Sequence, residues 1–216
     1  MLTVSFSSLR ILLSIVCLAS GLGSNIALAG SNLFGYQASI HNNLQMFPQW
    51  LSVLERHLKT NVPEGRCQTR HMDSCHIKNW HDFLKRIKHL SKAEQIKQVN
   101  LYANRQNYIL DIDNYNLEDY WATPKEFLYN SGDCEDYAIT KMLSLKQLGF
   151  NTAAMRIVVL QDTNLRIPHA VLALNIKGDI LILDNQIDEV ISHKHIVHYT
   201  PIYALNEQHW WMFSPK

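Results

Sequence analysis

The chain has 216 residues, of which 47% are hydrophobic and 18% are charged, and its formal net charge is +1. This length is sufficient for one domain with a substantial core, and the composition is that of an ordinary globular protein. The near-zero net charge gives no indication of an acidic partner, so we expect neither nucleic acid nor an anionic membrane surface among the partners.

Residues 1–29 have the features of a secretory signal peptide. Arg10 is the only charged side chain in this segment, the apolar run 11–19 follows it, and Ala27-Leu28-Ala29 supplies small residues before a cleavage site. An uncleaved membrane anchor is the alternative, although the apolar run is short and interrupted by Gly and Ser. We expect an exported protein, periplasmic in a Gram-negative bacterium, that does not span the membrane after signal cleavage. Residues 30–216 then form a single domain.

Three cysteines remain after removal of the signal: Cys67, Cys75 and Cys134. An odd number in an oxidising compartment indicates one disulfide and one free thiol. Cys67 and Cys75 lie close in sequence and flank a polar loop, so they are the expected pair, with two free thiols as the alternative. Cys134 is left over in either case.

The first part of the domain, residues 30–150, is predicted to be helical. Apolar residues recur at helical spacing over 44–58 and again over 80–90. Ser91-Lys92-Ala93-Glu94 and Thr123-Pro124-Lys125-Glu126 are capping-box patterns, and each predicts the start of a helix.

A further helix is expected from near Cys134 to Leu148, with Gly149 as its C-terminal stop. Cys134, Ala138 and Met142 share one stripe of this helix. The thiol should therefore lie at the N-terminal end of the buried face, where a helix N-terminus favours a thiolate.

The second part, residues 151–216, is predicted to form an antiparallel sheet. Strands are expected over 154–161, 169–176, 180–184, 202–205 and 209–213. Gly178-Asp179 is the expected turn of one hairpin. Of Trp210 and Trp211, one ring is expected in the core and the other exposed. Helices first and antiparallel strands afterwards indicate an α+β domain.

A cysteine nucleophile needs a base, and the base needs a group that orients its other ring nitrogen. His169 begins one predicted strand and Asp184 ends its partner. A turn at Gly178-Asp179 puts Asp184 opposite Ala173, on the same face as His169 but about four residues short of it. Each of these residues also has an ordinary structural explanation, so the argument rests on their combination.

The segment Gly132-Asp133-Cys134-Glu135-Asp136-Tyr137-Ala138, with Tyr120-Trp121-Ala122-Thr123-Pro124 before it, resembles the bacterial transglutaminase-like cysteine proteinases. More narrowly, it resembles the LapG-type periplasmic proteases. Pro168-His169-Ala170-Val171-Leu172 and Ile182-Leu183-Asp184-Asn185 are similar to the histidine and aspartate segments of that family. The resemblance covers roughly residues 117–213.

The resemblance implies a papain-like or transglutaminase-like core, in which the cysteine-bearing helix packs on the C-terminal sheet. It implies that Cys134 is the nucleophile, His169 the general acid and base, and Asp184 its orienter. The backbone N–H of Cys134 is a candidate oxyanion donor, and Trp121 is a more speculative second. The implied substrate is the N-terminal region of a large surface adhesin, and the implied regulator is an inner-membrane receptor for cyclic di-GMP.

Three carboxylates, Asp133, Glu135 and Asp136, surround the predicted nucleophile. At ~6 Å and an effective dielectric constant near 20, each charge opposes the thiolate by about 3 kcal/mol. Together they exceed a helix dipole effect of at most ~2 kcal/mol. A bound cation would remove the conflict, and oxygen ligands suit Ca²⁺. The resemblance also implies calcium, with these three residues as ligands.

Other interpretations of these patterns remain open at this point. The three carboxylates are also typical of a helix N-terminus without any metal. Residues 111–114 form another oxygen-rich run that could contribute ligands. His193 and His195 could hold zinc, although a polar loop is the simpler interpretation. A transglutaminase using the same triad, or an inactive binding protein with the same fold, are alternatives to a protease.

Overall fold

The computed structural model describes residues 32–60 and 74–216. The predicted signal peptide and Cys67 lie outside the described residues, and so does the side chain of Cys75. The signal and the Cys67–Cys75 pairing therefore stay predictions. No helix within the described ranges is long and apolar enough to cross a membrane.

The described residues form six α-helices. They are α1 (Pro48–Thr60), α2 (Ser74–Ile87), α3 (Lys92–Asn104), α4 (Asp111–Tyr115), α5 (Pro124–Asn130) and α6 (Cys134–Gln147). Both predicted capping sites start helices: Ser91 accepts a hydrogen bond from the Glu94 N–H at 3.2 Å, and Thr123 and Glu126 form a complete capping box. These local signals fixed where α3 and α5 begin.

The helical spacing over 44–58 corresponds to two helical elements rather than one. A short 3-10 helix, Leu44–Met46, comes first, and α1 begins separately at Pro48. Proline has no backbone N–H, so it suits the first position of a helix better than its interior.

Seven strands form one antiparallel sheet, two more than predicted. They are β1 (Gln37–His41), β2 (Met155–Asp162), β3 (Ile167–Ile176), β4 (Asp179–Leu183), β5 (Ile191–Ser192), β6 (Tyr199–Leu205) and β7 (Trp210–Ser214). Their order in the sheet is β1-β7-β6-β2-β3-β4-β5. The missed strands, β1 and β5, are the two edges, where a strand needs the least hydrophobic pattern.

The helices and the antiparallel sheet make the fold α+β, as predicted. Both faces of the sheet are covered. On one face, Ile157 and Leu172 pack with the helices, including α6. On the other face, Val158 and Val171 pack with Leu33 and neighbouring residues. Trp210 joins the first core and Trp211 the second, so the prediction that one of these rings is exposed is wrong.

The turn between β6 and β7 is held by the buried side chain of Asn206. Its Oδ1 accepts hydrogen bonds from the N–H groups of Gln208 and His209, both at 2.9 Å. Its Nδ2 donates to the carbonyl oxygens of Met155 at 3.2 Å and Thr152 at 3.4 Å. One amide therefore ties this turn to the start of β2.

We expect Asn206→Ala to lower the free energy of unfolding by about 2–3 kcal/mol, because buried polar groups of the backbone lose their partners. Urea denaturation followed by circular dichroism measures this change. Gln208→Ala is the matched control, since that side chain is exposed in the same turn. Equal stability of the two variants would contradict the role given to Asn206.

Candidate active site

Cys134 is the first residue of α6, and the helix places its sulfur against the start of β3. The Ala170 N–H donates a hydrogen bond to the sulfur. The thiol also donates to Glu135 Oε2, with 3.4 Å between sulfur and oxygen. The structure thus puts the predicted nucleophile beside the strand that carries His169.

His169 and Asp184 are in direct contact. His169 Nε2 and Asp184 Oδ1 are 2.9 Å apart, and the two side chains are only 3% and 1% exposed. Asp184 also accepts from the Tyr199 hydroxyl at 2.6 Å and from the Gln186 N–H at 3.0 Å. Burial opposes ionisation of Asp184, but these hydrogen bonds outweigh it and lower its pKa.

The hairpin register closes half of the gap that the sequence left between His169 and Asp184. Lys177 and Gly178, with φ of 52° and 88°, form the turn, so the predicted Gly178-Asp179 turn is wrong by one residue. Leu183 pairs with Leu172, which puts Asp184 beside Val171 rather than Ala173. A register change of two residues keeps the side chains on the same face and halves the offset.

Cys134 and His169 line the same cavity, which has a volume of about 190 Å³. Its other lining residues are Asp119 and Trp121 before α5, Glu135 on α6, Val159 on β2, Pro168 and Ala170 on β3, and Tyr203 on β6. Because Nε2 of His169 is bonded to Asp184, the ring nitrogen left for the thiol is Nδ1. The arrangement can therefore pass a proton from a nucleophile to an oriented base.

The surroundings of the Cys134 sulfur oppose its ionisation to a thiolate. Burial, the charges of Glu135 and Asp133 and the hydrogen bond to Glu135 raise the pKa of Cys134 well above its usual value. The Ala170 N–H acts in the opposite direction but does not compensate. This is the conflict that the sequence pattern indicated.

The carboxylates near Cys134 include a residue from α4. Asp111, Asp133 and Asp136 bring one oxygen each within 4.8 Å of one another, as do Asp111, Asp119 and Glu135. Of the predicted ligands, Asp133 and Asp136 therefore lie in one of these groups and Glu135 in the other, and Asp111 is shared by both groups. Only the first residue of the oxygen-rich run 111–114 is buried, and it is the one that joins the cluster.

Several features of this acid cluster, which we define as Asp111, Asp119, Asp133, Glu135 and Asp136, fit a cation. Oδ1 of Asp111 and Oδ1 of Asp133 are buried and have no hydrogen-bond partner among the described residues. Burial raises the pKa of Asp111 to about 6, and burial with mutual repulsion raises those of Glu135 and Asp136 well above the usual value. Oxygen-only donors of this kind suit Ca²⁺.

The Asp136 carboxylate also accepts two hydrogen bonds from backbone N–H groups. Its Oδ1 accepts from the Ala122 N–H at 2.7 Å, and its Oδ2 accepts from the Asp133 N–H at 3.3 Å. A side chain at position 132 would collide with Oδ2, which explains why glycine precedes the cysteine segment. Asp136 therefore joins the N-terminus of α6 to the segment before α5.

Trp121 belongs to that segment, residues 119–122, and is held by contacts of its side chain and its backbone. The indole N–H donates to Asp119 Oδ1 at 2.9 Å, so this donor already has a partner. Arg56 donates to the Trp121 carbonyl oxygen at 2.5 Å and pairs with Glu126. The speculative role of Trp121 as an oxyanion donor gains no support from this geometry.

Sequence reasoning did not identify Tyr199 or Arg56 as parts of the site. Tyr199 reaches Asp184 from β6, and Arg56 reaches residue 121 from α1. No local motif marks either residue, since only the strand order and the helix packing bring them to Asp184 and Trp121.

His193 and His195 do not form a metal site within the described structure. They lie in a short 3-10 helix, His193–His195, and His193 Nδ1 accepts from the Phe34 N–H at 3.1 Å. Neither residue belongs to a cluster of potential ligands among the described side chains.

Solved structures similar to this chain are those of LapG from Legionella pneumophila. The protein in its calcium-bound form has a TM-score of 0.60 and 24% sequence identity, over 75% of this chain and 86% of that chain. The EGTA-treated form has a TM-score of 0.59 at the same identity, over 75% and 84%. This likeness establishes a transglutaminase-like fold. No curated protein sequence shows significant similarity.

The model of one protein family matches residues 59–214, which is most of the chain and contains Cys134, His169 and Asp184. That family is described as bacterial transglutaminase-like cysteine proteinase, BTLCP. The chain therefore belongs to the family of bacterial transglutaminase-like cysteine proteinases.

Proposed function

We propose that this protein is a periplasmic, calcium-dependent cysteine endopeptidase whose catalytic triad is Cys134, His169 and Asp184. The observation that carries the proposal is the buried 2.9 Å contact between His169 and Asp184, on a histidine that lines the same cavity as the Cys134 sulfur. Membership of a cysteine proteinase family supports the reaction class.

In the proposed reaction, His169 Nδ1 takes the thiol proton, and the thiolate attacks the carbonyl carbon of the peptide bond. The Cys134 N–H lies at the start of a helix, where backbone donors have no intrahelical partner, and it would stabilise the oxyanion. His169 then returns the proton to the leaving amine, which leaves a thioester on Cys134. Water hydrolyses that thioester, with His169 again as the base.

Asp184 and Tyr199 hold the base in place. Asp184 accepts from His169 Nε2, which directs Nδ1 toward the cavity and stabilises the imidazolium. Burial raises the pKa of Tyr199, so this phenol keeps its proton and stays a donor to Asp184. Asp184 thus restricts the rotation of the His169 ring, and Tyr199 restricts the rotation of the Asp184 carboxylate.

We propose that calcium binds at the acid cluster, with Asp133, Glu135 and Asp136 as ligands and Asp111 as an additional one. The buried, unpartnered oxygens of Asp111 and Asp133 within the described structure support this assignment. The similar LapG protein has been solved in a calcium-bound form, which also supports it. A bound calcium ion would neutralise the charges that oppose ionisation of Cys134.

The proposed substrate is the N-terminal region of a large surface adhesin, whose cleavage would release the adhesin and disperse a biofilm. The proposed regulator is an inner-membrane cyclic-di-GMP receptor that sequesters the protease. Both follow from the resemblance to LapG-type proteases, and the signal-like residues 1–29 support the periplasmic location.

Cys134→Ala should lose cleavage of an adhesin N-terminal fragment by at least about 10³-fold, because the nucleophile is removed. Gel analysis of the fragment with wild type and variant measures this loss, and thermal denaturation of the variant controls for folding. Cleavage by Cys134→Ala would refute the triad. Incorporation of a labelled amine by the wild type, in place of cleavage, would assign acyl transfer instead of hydrolysis.

Excess chelator should abolish cleavage, and added calcium should restore it. Asp111→Asn should weaken calcium binding by about tenfold or more, since one anionic ligand is lost. Isothermal titration calorimetry measures this affinity without a substrate. Asp113→Asn is the matched control, because Asp113 is exposed and outside the acid cluster. Full activity in chelator, with the metal shown to be absent, would refute the calcium dependence.

The raised pKa of Asp111, about 6, gives a pH dependence of stability in the calcium-free protein. The folded state binds the proton more tightly than the unfolded state, so its stabilisation is lost as the pH rises through about 6. Asp111→Asn avoids this loss. In chelator, its melting temperature should exceed that of the wild type at pH 7.5, and the difference should shrink toward pH 5. A constant difference across this range would contradict the assignment.

A further inference from the structure

Lys141 is a fully buried lysine on the helix that carries the nucleophile. Its exposed fraction is 0%, and its Nζ has no hydrogen-bond partner in the described part of the chain. Seven residues, or about two helical turns, separate it from Cys134, so both lie on the same side of α6. Neither the triad nor the acid cluster accounts for this residue.

The charges that act on Lys141 come from the segment that carries the triad aspartate. Asp184 and Asp188 are the carboxylates whose fields favour its ammonium form. Asn104 Nδ2 donates to the Asp184 carbonyl oxygen at 3.0 Å and to Asp188 Oδ1 at 3.1 Å, and Asn100 Nδ2 donates to the Asp188 carbonyl oxygen at 2.9 Å. The segment 184–188 is thereby held on α3, with Lys141 of α6 close to its charges.

Stability alone does not explain a lysine at this position. Burial lowers the pKa of Lys141 to about 7, and Asp184 and Asp188 only partly oppose that effect. A methionine of similar length would fill the same space without the cost of burying a charge. A buried charge that weakens the fold next to a catalytic residue therefore calls for a role in the site.

The charge balance of the triad supplies such a role. Asp184 is buried, and the Tyr199 hydroxyl and the Gln186 N–H that donate to it are neutral groups. Lys141 is a buried cation whose ammonium form the charge of Asp184 favours. A buried carboxylate favours the protonated form of a neighbouring imidazole, and a cation near that carboxylate opposes the effect.

We propose that Lys141 is a positioning residue that acts through Asp184: its ammonium group supplies the counter-charge that keeps the His169–Asp184 pair balanced between its neutral and protonated states. Its catalytic relevance rests on the proposed function. Tyr199 lies beside His169, and Glu135, Asp119 and Cys134 share its cavity. The other charged or titratable groups that act on or contact Lys141 are Asp188 and Tyr137.

The test compares Cys134→Ala with Cys134→Ala/Lys141→Met at one calcium concentration. Removing a positive charge raises the pKa of neighbouring groups, so the His169 titration should move upward by at least about half a pH unit. Imidazole nuclear magnetic resonance measures this midpoint, with the His169 signal assigned through His169→Gln.

Cys134→Ala/Lys146→Met is the matched control. It removes a lysine charge from the same helix, but Lys146 is exposed and pairs with Glu207 at 2.5 Å. It should leave the His169 midpoint unchanged. An unchanged midpoint in the Lys141→Met protein would overturn the proposal.

A direct measurement covers the case in which Lys141→Met fails to fold. In Cys134→Ala protein with ¹³C-labelled lysine, the Lys141 signal should show the ammonium form at pH 6. An uncharged amine at that pH would overturn the proposal. None of these measurements needs a substrate, so their failure is separate from a failure of the peptidase assignment.

Discussion

The candidate site depends on the buried carboxylate of Asp136 at the start of α6. One of its oxygens accepts the Ala122 N–H and the other accepts the Asp133 N–H. This bond set fixes the N-terminus of the cysteine helix against the segment that forms one wall of the cavity. It also requires a position without a side chain at Gly132, because the carboxylate occupies that space. The position of Cys134 is therefore tied to a buried negative charge.

That constraint has an electrostatic consequence on each side of the cavity. On one side, Asp136 and its neighbours crowd several carboxylates beside Cys134, and their charges favour the thiol over the thiolate. On the other side, Asp184 is buried to hold His169. A buried carboxylate is tolerable when a cation or several hydrogen bonds compensate it. We propose calcium for the first group and Lys141 for the second, so that one helix connects two balanced charge clusters.

Local signals in the sequence were sufficient for much of the fold. The capping residues Ser91 and Thr123 begin helices as expected, and α6 begins at Cys134. These signals are short-range, since a cap and its partner are three residues apart. The edge strands β1 and β5 were missed, because their few residues carry no clear alternation. The hairpin turn was misplaced by one residue, since both Lys177-Gly178 and Gly178-Asp179 contain the glycine that a tight turn needs.

Residue spacing and periodicity, which are local, were enough to predict the α+β class, the helix that starts at Cys134, the shared face of His169 and Asp184, and the acidic surroundings of the thiol. Three other contacts arise only from the folded arrangement: Asp111 joins the acid cluster, Tyr199 bonds Asp184, and Lys141 is buried near the same carboxylate. Those contacts join residues from separate helices and strands, and the packing of α3, α6 and the sheet sets their distances, which no pattern along the chain encodes.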